Sequence, residues 1–297
     1  MILDPEQTRL FWWTARERQQ ILLNRRAGMP RDQWTSDPVM RSHHFCNVFR
    51  CDDRVSLAVL RLAERWGDSW CAALVGRLIN RYETLTALSL GEAPSPNEFR
   101  QFAQVFGLNT NAYRLNTPLG LNNLEGLVAM YRDGRELGEA VQAQRNVPDA
   151  LAVMGQVKRL GGFTGYQIGL DLIEVGFFGS DFVDDWAWPG PGAGRGVARL
   201  LGHVISGSWE ERRLACWGQK KENLDLQHEV MTLLLQQAQD DCNWPHEWRA
   251  WTIHEVEGWL CEYDKWARRH FNESAGGRKY KGQYGIDYQP NKQRSAA

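Results

Sequence analysis

The 297 residues contain no Cys-x-x-Cys pair and no two histidines at zinc-ligand spacing. The cysteines Cys46, Cys51, Cys71, Cys216, Cys242 and Cys261 are scattered, which excludes a zinc ribbon and points to reduced thiols. No apolar run approaches the roughly 20 residues a membrane helix needs, so no membrane is expected as a partner. The opening "MILDPEQTRL" lacks a basic start followed by an apolar run, so no signal peptide is expected. The formal net charge is −1, which rules out a broad basic field. Nucleic-acid chemistry would need cations gathered on one face. No GxxxxGK[ST] run occurs, so phosphoryl transfer through a P-loop is not expected of these residues. There is no sustained period-two alternation, and therefore no sheet of consequence, and no internal repeat.

What is present is an ordinary globular balance, 43% hydrophobic and 24% charged. Arginine outnumbers lysine, which favours forked contacts with phosphate. The 14 tryptophans are expected mainly in the core, each indole N–H with a partner. Helical spacing and caps predict an all-α chain, with helices over 7–27, 55–66, from Ser69, 95–107, 121–132, 148–160, 166–176, 194–206, 224–240 and 252–271. Ser95, Pro96 and Glu98 read as a capping box, and Gly107 as the stop. One helical domain is expected over 1–273, as a single body or as two lobes with a cleft. The polar, basic 274–297 reads as a tail, and its Lys279 is a candidate DNA contact.

The densest chemistry lies at 182–196, "FVDDWAWPGPGAGRG". Asp184 is the candidate general base and Asp185 its alternative; a helix cap or a structural ion pair is the competing role. Gly190, Gly192 and Arg195 read as an anion cradle of exposed amides plus one guanidinium. A Pro/Gly turn that lets two helices pack is the other reading. Asn47 and Arg50 are three apart and read as one helix face that contacts a phosphate or a base edge, a row of candidate DNA contacts that Arg54 extends; a solvated face paired to Asp52 and Asp53 is the alternative. Glu262, Asp264 and Lys265 read as an ion-pair network. The sequence itself suggests no role for His43 or His44.

Upstream, "VKRLGGFTGYQIGLDLIE" reads as two helices joined by a glycine turn, whose outward amides form a phosphate nest. Gly161, Gly162, Thr164 and Gly165 are the candidate DNA contacts. The run Leu160-Gly161-Gly162-Phe163-Thr164 resembles the helix-hairpin-helix of the DNA glycosylase superfamily. There a catalytic Asp follows by just over twenty residues; here 184 − 162 = 22, with Val183 before it. The lysine nucleophile of that superfamily falls at Tyr166, so a lyase route is not implied.

A narrower resemblance rests on "FWWTARERQQILLNRRAGMP", "SDPVMRSHHFCNVFRCDDRV", the Gly-Pro-Gly-Ala-x-Arg-Gly stretch and "LCEYDKWARR". Over roughly 8–285 the chain resembles phage DNA-hypermodification proteins: the helical part of 5-hydroxymethyluracil DNA kinases, and the glutamyl/putrescinyl-thymine pyrophosphorylases or amino acid:DNA transferases. The resemblance implies a glycosylase-like helical fold acting on a flipped base in double-stranded phage DNA, in the host cytoplasm. An upstream kinase would supply 5-(pyrophosphoryloxymethyl)uracil, and a free amino acid or amine would displace pyrophosphate. Gly190, Gly192, Arg195 and Arg50 would then hold pyrophosphate, on the far side of the reacting carbon from Asp184. A monovalent cation at the hairpin or a divalent cation with pyrophosphate is compatible; no other cofactor is implied. A DNA glycosylase and a non-catalytic DNA-binding module serving a kinase stay open as alternatives.

Overall fold

The computed structural model describes residues 1–106, 128–132, 134–157, 160–203 and 221–273. In chain order the helices are α1 (Pro5–Arg26), α2 (Pro38–Ser42), α3 (Arg54–Trp66), α4 (Ser69–Ile79), α5 (Tyr82–Leu88) and α6 (Pro96–Phe106). They continue as α7 (Arg135–Gln142), α8 (Val147–Gly155), α9 (Phe163–Glu174), α10 (Pro191–Leu200), α11 (Lys221–Gln237) and α12 (Ile253–His270). The fold is all-α. Among the described residues the one β feature is an isolated parallel bridge between Asn146 and Val183.

Two compact units share the chain. The first is Met1–Val48 together with Pro189–Ala297; the second is Phe49–Trp188. In the first, α12 is the central helix, and α10, α11, α1 and α2 pack on it. A capping box starts α12: the Thr252 amide donates to Glu255 over 2.8 Å. Tryptophan fills this core. Trp12 lies 5.0 Å from both Phe11 and Trp251, and Trp244 lies 5.2 Å from Trp251. Trp12 donates to Gln237 over 3.2 Å, and Trp259 to the Phe11 carbonyl and the Thr14 hydroxyl, each over 3.3 Å. These partners satisfy the indoles of Trp12 and Trp259, whereas Nε1 of buried Trp251 meets no acceptor among the described residues, so the expected partner for each indole is not found there.

In the second unit, α4 packs on α3 and α9, and α8 packs between α7 and α9. The cap of α4 is Asp68 rather than Ser69: its carboxylate accepts the Cys71 amide over 2.9 Å. The Ser95–Glu98 box forms as read, with bonds of 2.8 and 3.3 Å in the two directions. Gly107, Cys216 and the tail with Lys279 lie outside the described residues. Helices α5 and α7 are short and were not expected; each buries one narrow apolar edge, too few residues to show a period.

Candidate functional site

The hairpin is α8, a turn, and α9. Gly162 caps α9 at φ 61° and ψ −135°, a backbone conformation only glycine adopts at no cost. The first helical bond runs from the Tyr166 amide to the Gly162 carbonyl, 3.0 Å. Gly162 has no side chain, so α9 starts without a side-chain cap from its own N-cap residue. A Cβ on Gly165 would stand 2.1 Å from the Leu160 carbonyl oxygen. The close approach that a second hairpin glycine allows is therefore made at 165, one position later than the motif spacing suggests. Gly161, Gly162 and Thr164 are half-buried, Gly165 is buried, and Tyr166 is fully buried.

The same unit fixes the segment that carries the acids. The Val183 amide donates to the Arg145 carbonyl over 2.7 Å, and Val183 pairs with Asn146, the cap of α8. Asp184, next in the chain, is half-buried and Asp185 is exposed. Asp184 is thereby tied to the start of the first hairpin helix. From Asn146 to Gly155 that helix rises about 14 Å, at ~1.5 Å per residue. Trp186 and Trp188 meet edge to face at 5.8 Å just beyond.

Arg50 is not on a helix with Asn47. It opens a 3-10 turn over Arg50–Asp52, and the two residues belong to different units. Both of its partners lie on α9. Arg50 Nε and Nη2 donate to Asp171 Oδ1 (3.1 and 3.0 Å), Nη1 to the Gln167 side chain (2.7 Å) and Nη2 to the Gln167 carbonyl (2.8 Å). Asp171 is 1% exposed and also accepts from Arg77 Nε (2.5 Å) and Nη2 (2.7 Å). Arg77 reaches Asn80 and Ser56 as well, over 3.2 and 3.0 Å. Asn47 accepts from Arg18, and exposed Arg54 lies 5.3 Å over the Tyr82 ring.

The stretch read as an exposed loop is helix α10 from Pro191 onward, and the cradle of open amides is corrected accordingly. Proline is tolerated in the first turn, where its missing N–H is not needed. Gly192 and Gly196, one turn apart, let α10 and α12 touch. A Cβ at 192 would stand 2.3 Å from Cys261 Sγ, and one at 196 would stand 2.4 Å from the Leu260 carbonyl oxygen. The Gly190 amide donates to the buried Glu257 carboxylate over 3.0 Å, so a protein carboxylate stands where an anion was expected. Arg195 Nε donates to Asp264 Oδ2 over 2.6 Å, and its side chain is 22% exposed.

Asp264, fully buried, also pairs with Arg199 and Arg268, each at 3.1 Å. Glu262 pairs with Lys265 over 2.6 Å and accepts the Cys46 amide over 3.0 Å. Burial opposes the Glu262 charge, but the Lys265 ammonium and these hydrogen bonds outweigh it and hold its pKa below the ordinary value. Burial likewise opposes the Lys265 charge, and Glu262 outweighs it, so that pKa is raised. The single network expected of Glu262, Asp264 and Lys265 is thus two groups, the Glu262–Lys265 pair and an Asp264 cluster with Arg195, Arg199 and Arg268. His43 Nδ1 lies 3.1 Å from the Val39 carbonyl. Among the described residues no group of three His, Cys, Asp or Glu side chains is placed to hold a metal.

The family described as "5-hmdU DNA kinase, helical domain" matches residues 6–276. The chain belongs to that helical-domain family. It is also 25% identical over 322 residues to a 5-hmdU DNA kinase of Bacillus phage SP10, covering 93% of this chain and 47% of the kinase. The chain therefore spans about half the length of that relative. No solved structure matches. No described helix is long and apolar enough to cross a membrane.

Asp171 and Arg77 were missed by sequence reasoning, yet both leave a mark in it. Each is a lone charge inside an apolar helical run, "IGLDLI" and "ALVGRLI", and of opposite sign. Such residues are rarely buried unless paired.

Proposed function

We propose that this chain acts in thymine hypermodification of phage DNA. It displaces pyrophosphate from 5-(pyrophosphoryloxymethyl)uracil with an amine or amino acid. The observation that carries the reading is the family match across 6–276, to the helical domain of a 5-hydroxymethyldeoxyuridine kinase, in a stretch of chain with no P-loop run of its own. The hairpin supports it. The α9 amides suit a DNA phosphate, and Asp184 is tied about 14 Å away along α8, roughly four base-pair steps at ~3.4 Å each. Double-stranded DNA is the macromolecular substrate, the target base is flipped, and an upstream kinase supplies the pyrophosphorylated base.

In this reading Asp184 takes the proton from the attacking amine. The nitrogen lone pair forms the bond to the exocyclic carbon, and the carbon–oxygen bond breaks as pyrophosphate leaves. Arg195, held by Asp264, is assigned to the leaving group. The roles of Gly190 and Gly192 pass to packing and capping, and that of Arg50 to α9.

The experiment is a pair of pH–rate profiles on kinase-treated DNA. Asp184→Asn keeps DNA binding and loses about a hundredfold or more in rate, partly restored at higher pH, where more amine is already deprotonated. Arg195→Ala weakens transition-state stabilisation by about 2–4 kcal/mol with no recovery at high pH. Wild-type rates in both variants would refute these assignments.

A further inference from the structure

Helices α10 and α12 bring three guanidiniums to one buried carboxylate. Arg195 and Arg199 are four apart on α10, and Asp264 and Arg268 are four apart on α12, so each pair shares a helix face. Asp264 Oδ1 meets Arg199 Nε at 3.1 Å, and Oδ2 meets both Arg195 Nε at 2.6 Å and Arg268 Nε at 3.1 Å. The three cations are not paired alike. Arg199, 5% exposed, closes its fork on Glu273 over 2.8 and 2.5 Å. Glu273, the second carboxylate of the group, is spent there, so three cations face two anions among the described residues. Arg195 and Arg268 are 22% and 30% exposed. Arg268 meets Asp264 through Nε alone, at Oδ2 and, over 3.4 Å, at the main-chain carbonyl. Neither of its Nη groups has an acceptor among the described residues.

A third guanidinium is a poor device for stability here. Arg199 and Arg195 already serve both oxygens of Asp264, and a further like charge beside Arg195 repels it where charges are weakly screened. A cation in the last turn of α12 gains from the helix dipole, but that gain needs no contact with Asp264. What the arrangement supplies is two guanidiniums side by side on one oxygen, both partly open to solvent. Such forks match phosphoryl oxygens, and an anion of two linked phosphoryl groups can engage two adjacent forks at once.

We infer that Arg268 is a second binding residue for pyrophosphate: it takes the leaving group together with Arg195, and Asp264 holds both side chains in place. This rests on the assignment of the leaving group to Arg195.

The test measures binding of free pyrophosphate by calorimetry, and of unmodified duplex DNA by fluorescence anisotropy, on full-chain variants whose helical circular dichroism matches wild type. Arg268→Gln weakens pyrophosphate binding about tenfold, the scale of one charge-assisted contact, and leaves DNA binding unchanged. Arg268→Lys, which keeps the charge but not the fork, recovers part of the loss. If Arg268→Gln does not fold, Arg268→Lys carries the test, with pyrophosphate binding about threefold weaker than wild type. Pyrophosphate affinity equal to wild type in the folded variants overturns the inference and leaves Arg195 on the leaving group. A loss confined to DNA also overturns it, and makes the pair a contact for a backbone phosphate. A wild-type protein with no affinity for pyrophosphate overturns the assignment of Arg195 itself, and this inference with it.

Discussion

Replacing Gly196 by alanine separates a packing role for the Gly-Pro-Gly-Ala stretch from a phosphate-binding one. Within a helix, alanine is favoured over glycine by about 1 kcal/mol. Position 196 reverses that. The new Cβ would stand 2.4 Å from the Leu260 carbonyl oxygen and 3.0 Å from its carbon, where ordinary contact begins at 3.4 Å. The shortfall is 3.4 − 2.4 = 1.0 Å against backbone, which no side-chain rotation relieves. Overpacking of this kind costs about 1–3 kcal/mol, and a backbone obstacle places it at the upper end. After the propensity gain, a net loss of about 1–2 kcal/mol remains. Gly258 is the control: it sits mid-way along α12, exposed, with nothing within 4 Å of an added Cβ. Gly258→Ala should stabilise by about 0.5–1 kcal/mol. Urea midpoints and melting temperatures of the two variants should therefore move in opposite directions, by about 2–4 °C per kcal/mol. A Gly196→Ala protein as stable as Gly258→Ala would refute the close α10–α12 contact and restore the open loop.

Other outcomes follow from the buried charges and thiols. Asp264→Asn leaves Arg195, Arg199 and Arg268 without their common carboxylate and should cost about 3–5 kcal/mol by chemical denaturation. The lowered pKa of Glu262 adds stability that is present above its unfolded value of about 4.3 and is lost as pH falls through the lower folded value, so Glu262→Gln should flatten the acid limb of a Tm–pH curve. The raised pKa of Lys265 adds stability that is complete below about 10.4 and is lost as pH rises through the higher folded value, so Lys265→Met should flatten the alkaline limb of the same curve. Burial pushes the Cys261 and Cys71 thiols up to about 12, whereas Cys46 and Cys242 are exposed. Alkylation of the native protein at pH 8, read by peptide mapping, should mark Cys46 and Cys242 and spare Cys261 and Cys71 until unfolding.

The helices were legible wherever a cap and a period coincide, as at Ser95–Glu98 and along α1, α3 and α12. The glycine turn before α9 was legible because the positive φ of Gly162 and the close approach of Gly165 to Leu160 are set by backbone sterics, and sterics leave a pattern in sequence. The Gly-Pro stretch was misread because glycine is a poor helix former in isolation, and only the neighbouring helix explains Gly192 and Gly196. Arg50 was misplaced for a related reason. A motif shows that an arginine is needed but not what it touches, and its partners Gln167 and Asp171 lie more than a hundred residues away.

The most direct measurement follows the two products of the proposed reaction. Duplex DNA containing 5-hydroxymethyluracil is treated with a 5-hmdU DNA kinase, then with this protein and a mixture of amino acids and polyamines. Released pyrophosphate is quantified, and the nucleosides are read by mass spectrometry. The account predicts pyrophosphate in equal amount to a new thymidine nucleoside bearing an amine on its exocyclic carbon. Abasic sites without that nucleoside, or DNA that binds the protein and returns unchanged, would contradict it.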